Sequence, residues 1–225
     1  MAVEPRIGVV DSGCSAEQAG TLLGARRFWL EDGRLREGDT LADALGHGSA
    51  VLASLRAEAG GLPVLLAQVF AGQGTTSALQ VAAAVLWLVE AGATVINLSL
   101  GLRQDRPVLR QACSEALSAG VLLCASSPAR GEPVYPASYP GVIRVTGDAR
   151  CGPGQWSWLD SAQADFGAPV GKDGRAGASL ACAAFSGQLA ALLRDEPGMS
   201  RAALLQRLRS DAAFTGPERR GAVDA

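Results

Sequence analysis

The amino-acid sequence predicts an α/β fold in which helices cover both faces of a mostly parallel sheet. Short β-branched runs alternate along the chain with apolar helical segments, the pattern of strands joined by crossover helices. The 225 residues suffice for a medium domain with a substantial core, and 48% hydrophobic with 19% charged residues indicates a globular protein. Because no internal repeat or linker interrupts the pattern, we expect a single domain over residues 1–225.

Apolar runs and their flanking residues define the elements of the first half. Strands are expected where short apolar runs end at polar turns, and helices where longer runs begin at a capping residue or glycine. Ser77 and Gln80 have the spacing of a capping box, and Gly92 suits the end of the helix that they begin. The predicted strands cover 6–10, 63–70 and 94–100, and the predicted helices cover 46–55 and 77–92.

The second half continues the alternation around a region rich in turns. A helix over about 108–119 stops at a glycine and leads into a strand over 121–125. Three prolines predict a loop over 126–139, and turn residues predict irregular structure over 151–177. The remaining predicted elements are a strand over 142–145, a buried helix over 179–193 and an amphipathic helix from Ser200 to near Ala213.

Charge and hydropathy exclude two classes of partner. The formal net charge is −2, so the chain has no overall basic field to attract nucleic acid or anionic lipid. No uninterrupted apolar stretch approaches the roughly 18 residues of a membrane span. The most apolar segment, 78–89, ends at Glu90 and predicts a core helix. Neither nucleic acid nor a membrane is therefore expected as a partner.

The N-terminus and the cysteines predict the compartment. The apolar run 7–10 is too short for the core of a secretory signal, and only ten residues precede Asp11, so we expect no signal peptide and no prodomain. Five cysteines leave at least one unpaired and form no CxxC pair, which predicts free buried thiols in the reducing cytoplasm. Because metal-ligand spacing is absent, no metal or cofactor is expected.

The single histidine limits where acid–base catalysis could take place. A serine nucleophile needs a histidine that accepts its proton and a carboxylate that orients the histidine. Asp11 directly follows the first predicted strand, while His47 and Ser179 lie at the starts of predicted helices, and such positions converge at one edge of a parallel sheet. Taken one at a time, these residues also fit a turn, a buried histidine and a helix cap.

Five ordered sequence blocks together resemble the subtilisin-like serine protease family. They are IGVVDSG (7–13), GHGSAV (46–51), VINLSLG (95–101), YPASYPGVIRV (135–145) and GASLA (177–181), and the family's order of Asp, His and Ser is kept. The resemblance runs from about residue 6 to 193 and implies a three-layer subtilisin-like fold. It also implies a serine endopeptidase in which Asp11 orients His47, His47 is the general base and then the acid, and Ser179 is the acylated nucleophile.

The same resemblance implies where the oxyanion and the substrate would bind. The backbone N–H of Ser179 would be one oxyanion donor. The family's second donor, an asparagine after the strand over 121–125, is absent, and Ser127 lies nearest its place. Loss of that donor costs roughly 2.7–4 kcal/mol in subtilisin itself, so we expect weakened transition-state stabilisation. The implied substrate-binding residues are Ser99, Leu100 and Gly101, on a strand that pairs with the substrate backbone, and Ser126 beside the first pocket.

In its small size the chain resembles one subgroup of this family, the leader-removing proteases of quinohemoprotein amine dehydrogenase maturation. This implies a dedicated cytoplasmic processing protease that acts on a modified peptide or small subunit, with a modifying-enzyme complex as a candidate partner. Two alternatives stay open. One is a leader peptidase for another modified peptide. The other is a subtilisin-fold protein that binds a peptide with little or no catalysis, which the missing asparagine favours and the three retained catalytic residues disfavour.

Overall fold

The computed structural model describes residues 4–70, 74–171 and 177–217. Within these ranges the strands are β1 (Ile7–Asp11), β2 (Gly24–Glu31), β3 (Arg34–Gly38), β4 (Val64–Gln68), β5 (Val95–Leu98), β6 (Leu122–Ser126), β7 (Ile143–Gly147), β8 (Ser157–Trp158), β9 (Phe166–Ala168) and β10 (Phe214–Thr215). The helices are α1 (Ala16–Ala19), α2 (His47–Ala59), α3 (Ala78–Glu90), α4 (Pro107–Ser118), α5 (Ala178–Asp195) and α6 (Arg201–Ser210).

The strands form one sheet, which is mostly parallel as the sequence predicts. Across the described residues its order is β10-β8-β9-β7-β6-β5-β1-β4-β2-β3. Strand β1 lies at the centre and pairs in parallel with both β4 and β5. Antiparallel pairing is confined to β2 with β3 and β8 with β9, near the two edges of the sheet.

Two apolar clusters, one on each face of the sheet, confirm the three-layer arrangement. One cluster joins a sheet face to α2, α5 and α6, and the other joins the opposite face to α3 and α4. Strand β1 contributes side chains to both clusters, because Ile7 and Val9 belong to the first cluster and Val10 to the second. Successive side chains of a strand point to opposite faces, so a central strand buried on both sides must be apolar throughout.

A hairpin precedes the His47 helix, in a segment where the sequence predicted neither strand nor helix. Strands β2 and β3 pair antiparallel from Arg27 with Gly38 to Glu31 with Arg34. Asp32 and Gly33 connect them, and both have positive φ, 50° and 72°. An Asp-Gly pair favours this kind of two-residue turn, whose twist matches that of the flanking strands. Likewise, the region 151–177 contains the short strands β8 and β9 within its turns.

The thiols agree with the prediction of free, buried cysteines. All five are buried and none is in a disulfide. Burial raises the pKa of both Cys113 and Cys124 to about 12, so these thiols stay protonated and unreactive at neutral pH.

As to hydropathy, none of the described helices combines the length and the apolar character that a membrane crossing needs.

Candidate active site

The three candidate catalytic residues lie at one edge of the sheet and at two neighbouring helix starts. Asp11 is the last residue of β1, whose parallel neighbour β5 ends one residue before Ser99. His47 is the first residue of α2, and Ser179 is the second residue of α5. Both helices pack on the same face of the sheet and against each other. The carboxyl edge of a parallel sheet is where such folds place their ligands.

The carboxylate of Asp11 and the imidazole of His47 are in direct contact. Asp11 Oδ1 lies 2.7 Å from His47 Nδ1 and also accepts the backbone N–H of Ser12 at 2.7 Å. The Asp11 side chain is fully buried, whereas 42% of the His47 side chain is exposed. When Nδ1 donates to a carboxylate, the neutral ring carries its basic lone pair on Nε2. The pair therefore holds His47 in the tautomer that a general base requires.

Glycines permit this contact by letting the backbones approach closely. Gly46 precedes α2 with φ of 65°, in the left-handed region that glycine occupies at little cost. At Gly48 a β-carbon would lie 2.2 Å from the carbonyl oxygen of Gly13, in the turn after β1. Any larger residue at 48 would push α2 away from β1, and with it His47 from Asp11.

Asp43, which sequence reasoning did not identify, binds both elements that carry the Asp11–His47 pair. Its carboxylate accepts the Ser12 hydroxyl at 2.8 Å, the Gly46 N–H at 2.9 Å, and the N–H and hydroxyl of Ser49 at 2.8 and 2.7 Å. The Ser12 oxygen in turn accepts the Gly48 N–H at 2.9 Å. Burial alone would raise the pKa of Asp43, but the hydrogen bonds from Ser49, Ser12 and Gly46 outweigh it and lower the pKa below its usual value.

Ser99 holds Ser179 through two hydrogen bonds. The Ser99 hydroxyl donates to the Ser179 carbonyl at 2.8 Å, and the Ser179 hydroxyl donates to the Ser99 carbonyl at 3.2 Å. The fully buried Asn97 fixes Ser99, because its Nδ2 donates to the Ser99 hydroxyl oxygen at 2.9 Å. The Ser186 hydroxyl on α5 lies 3.1 Å from Asn97 Oδ1. This chain of contacts ties the nucleophile candidate to the end of β5.

Ser127 and Ser126, the residues expected near the oxyanion and the first pocket, are both buried at the end of β6. The Ser127 hydroxyl donates to the Gln163 carbonyl at 2.6 Å, and the backbone N–H of Ser127 donates to the Val145 carbonyl at 2.8 Å. A serine hydroxyl has one proton, so Ser127 would have to release Gln163 before it could donate to an oxyanion. The Ser126 hydroxyl lies 3.5 Å from the Leu100 carbonyl. The oxyanion role of Ser127 stays a prediction.

An open cavity of about 530 Å³ adjoins the imidazole. Its lining includes His47 and the segment that was expected to bind substrate, Ser99, Leu100 and Gly101. Leu45, Phe70 and Leu102 give it largely apolar walls. Another cavity, of about 550 Å³, is lined by Ser127, and none of the three candidate catalytic residues lines it. The cavity beside His47 is the one in which a peptide could reach the base.

Comparison with known proteins shows the family to which the chain belongs. The profile of the subtilase family matches residues 4–222. The chain belongs to the subtilase family. This subtilase is 28% identical over 160 residues to the major intracellular serine protease of Bacillus subtilis (strain 168), which covers 62% of the chain and 50% of that protein. It is also 28% identical over 151 residues to subtilisin Savinase of Lederbergia lenta, covering 62% of the chain and 54% of that protein. It thus spans about half the length of both relatives.

A solved structure shares the fold of this subtilase. The crystal structure of a lanthipeptide protease superposes with a TM-score of 0.70 at 18% identity, over 93% of this chain and 80% of that one. This similarity, together with the mostly parallel sheet, confirms the predicted three-layer subtilisin-like fold.

Proposed function

We propose that the protein is a serine endopeptidase that uses Asp11, His47 and Ser179 as its catalytic residues. The observation that carries the proposal is the 2.7 Å contact of Asp11 with His47 Nδ1, next to a cavity lined by the strand end that holds Ser179. Membership in the subtilase family supports the same assignment. The substrate would be a peptide or protein in extended conformation.

In the proposed reaction His47 moves protons while Ser179 carries the acyl group. His47 Nε2 takes the Ser179 hydroxyl proton as the oxygen attacks the scissile carbonyl, and Asp11 stabilises the resulting imidazolium. His47 then gives this proton to the leaving amine, which breaks the C–N bond and leaves an acyl ester on Ser179. A water molecule, deprotonated by His47, attacks the ester. The acyl C–O bond breaks, His47 returns the proton to the Ser179 oxygen, and the product leaves as a carboxylic acid. The Ser179 hydroxyl would leave the Ser99 carbonyl to enter this cycle.

The start of α5 supports one oxyanion donor. Ser179 is the second residue of the helix, and the N–H groups of a first helical turn have no partner within the helix. The positive end of the helix dipole adds to the attraction for a negative oxygen. The backbone N–H of Ser179 would therefore bind the oxyanion, while Ser127 contributes only if it releases Gln163.

We further propose a dedicated processing role, the removal of a leader from a modified peptide or small subunit, as a single peptidase domain in the cytoplasm. The lanthipeptide protease that shares the fold supports a substrate of this kind. Five buried thiols without a disulfide suit a reducing compartment. Association with a modifying-enzyme complex would place the protease beside its substrate. Mass spectrometry of leader-bearing peptides incubated with the protein would test this role, and specific cleavage at one bond is the expected result.

An active-site fluorophosphonate tests the catalytic assignment. We expect one covalent adduct, located on Ser179 by peptide mapping, and no adduct in the His47→Ala variant. The folded state of each variant is checked by circular dichroism. An adduct on another residue, or equal labelling of His47→Ala, would disprove the assignment.

The alternative is a peptide-binding protein without turnover. The engagement of the Ser127 hydroxyl with Gln163 favours it, because the site then lacks the side-chain oxyanion donor of the family. A folded protein that binds peptides but forms no fluorophosphonate adduct would establish this alternative.

A further inference from the structure

The cavity beside His47 continues into a second cavity that carries positive charge. The second cavity has a volume of about 410 Å³, and Thr76 and Leu102 line both. Arg103 and Arg106 line only the second one. Apart from His47, these arginines are the only ionisable side chains that the described residues contribute to either cavity.

Neighbouring acidic groups do not neutralise the two arginines. Both side chains are exposed, and within the described ranges neither forms an ion pair with a carboxylate. Arg106 donates to the neutral amide oxygen of Gln104. Asp105, which lies between them in sequence, is bound instead to Arg110 and to the Tyr139 hydroxyl. The two guanidinium groups are therefore available to a charge from outside the chain.

A polar group without a partner lies where the two cavities meet. The Thr76 Oγ1 atom is buried and has no hydrogen-bond partner in the described part of the protein. A buried hydroxyl without a partner costs free energy, which a bound peptide could recover once rotation of the Thr76 side chain turns Oγ1 towards the cavities.

We infer that the far end of the groove binds an acidic side chain, Asp or Glu, of the substrate. This inference rests on the proposed endopeptidase function. Arg103 lies in the bend that follows Leu102, whose backbone is paired with Tyr135. A peptide that pairs with the chain at Ser99 and continues along the groove would bring a side chain about four residues from the scissile bond to Arg103. Arginine is well suited to the task because its planar guanidinium binds a carboxylate through two hydrogen bonds.

Matched peptides test the inference directly. A set of synthetic decapeptides with neutral side chains carries Glu, or Gln in its matched partner, at each position in turn, and mass spectrometry locates the cut. We expect kcat/KM to be about fivefold higher for Glu than for Gln when this residue lies about four positions from the cut, on one side only. The ratio should fall towards one in about 0.5 M salt, since exposed charges are screened.

Three variants separate charge recognition from other effects. The double variant Arg103→Gln, Arg106→Gln should lose the Glu preference, and Arg103→Glu, Arg106→Glu should prefer Lys over Gln at the same position. Arg34→Gln, which removes one positive charge from the exposed face of β3, should keep the preference for Glu. Equal rates for Glu and Gln peptides in the unmodified protein, or a preference that survives in the double variant, would overturn the inference.

Binding without cleavage distinguishes this inference from the proposed function. The same peptide pairs, labelled with a fluorophore, are titrated against Ser179→Ala and followed by anisotropy. If the unmodified protein cleaves none of the peptides while Ser179→Ala binds the Glu peptides about fivefold more tightly, the endopeptidase proposal fails and the acidic subsite stands. If Ser179→Ala binds Glu and Gln peptides equally, the subsite is wrong whatever the cleavage assay shows.

Discussion

The candidate site has two halves: a proton-transfer half around Asp11 and His47, and an oxyanion half around Ser127. They differ in whether the hydrogen bonds of their polar groups leave these groups in position to act on a substrate. Around His47, Asp11 and Asp43 fix the end of β1 and the start of α2 through a network of short hydrogen bonds. At the end of β6, the Ser127 hydroxyl is equally well bonded, but to the Gln163 carbonyl. In the proposed mechanism the groups that would transfer protons are therefore the better fixed ones, whereas oxyanion stabilisation would rest mainly on the backbone N–H of Ser179.

Removal of the base gives the largest expected effect on the proton-transfer half. His47→Ala should lower kcat on a peptide ester by about 10⁶-fold, the size of the loss known for the base of subtilisin itself. The measurement is steady-state kinetics, with the unfolding midpoint as a control of the fold. A variant that keeps more than about a hundredth of the activity would show that His47 is not the base.

A substitution that moves α2 away from β1 should also lower activity, because it separates His47 from Asp11. In Gly48→Ala the new methyl group meets the Gly13 carbonyl, so we expect kcat/KM to fall by about 10²-fold and stability by about 1–3 kcal/mol. Gly20→Ala is the matched control, because nothing lies within 4 Å of a β-carbon there. Equal activity of the two variants would contradict the account.

Removal of the charge of Asp43 should loosen the proton-transfer half without touching a reacting group. We expect Asp43→Asn to lower kcat about tenfold, because the amide NH2 of asparagine cannot accept the hydrogen bonds that one of the two carboxylate oxygens receives. Asp32→Asn, in the β2–β3 turn where asparagine also tolerates a positive φ, is the control. Chemical denaturation and initial rates give both readouts.

The pH dependence of this stability has a definite sign. The pKa of Asp43 is lowered in the folded state, so its contribution is fully present above the ordinary aspartate pKa of about 3.9 and is lost as the pH falls through the folded value. The stability difference between the unmodified protein and Asp43→Asn should therefore be constant near neutrality and shrink below about pH 4. A difference that grows on acidification would contradict the lowered pKa.

In the oxyanion half, loss of the Ser127 hydroxyl should have the smallest effect on kcat, whereas gain of an amide donor at the same position should raise kcat measurably. Ser127→Ala should change kcat by less than about twofold, since the hydroxyl proton is bonded to the Gln163 carbonyl. Ser127→Asn, which restores the residue type of the family, should raise turnover on a generic peptide ester by about fivefold. Unchanged or lower turnover in Ser127→Asn would count against a weakened oxyanion site.

Sequence patterns predicted the parts of the fold that local residues determine. Apolar runs gave the central strands, and Ser77 gave the start of α3, whose Gln80 N–H it accepts. The β2–β3 hairpin was missed although Asp32-Gly33 is a strong turn signal, because its exposed strands lack a clear apolar alternation.

Long-range contacts limited how much of the candidate site could be predicted from the sequence. Asp11 and His47 could be proposed from their blocks, and their contact follows from the fold. The carboxylate of Asp43 joins groups up to 31 residues away, and the Ser127 hydroxyl reaches Gln163, 36 residues further on. No local pattern encodes such partners. An acidic residue shortly before a glycine-flanked helix start was the one signal that could have identified Asp43.

The central claim is that the hydroxyl of Ser179 reacts at the imidazole of His47, and the single histidine makes this measurable. In protein labelled with ¹⁵N-histidine, NMR reports one imidazole, and the account predicts a neutral tautomer with its proton on Nδ1. Modification of Ser179 by a fluorophosphonate should then shift both nitrogen signals. A proton on Nε2, or unchanged signals when Ser179 is fully modified, would contradict the account.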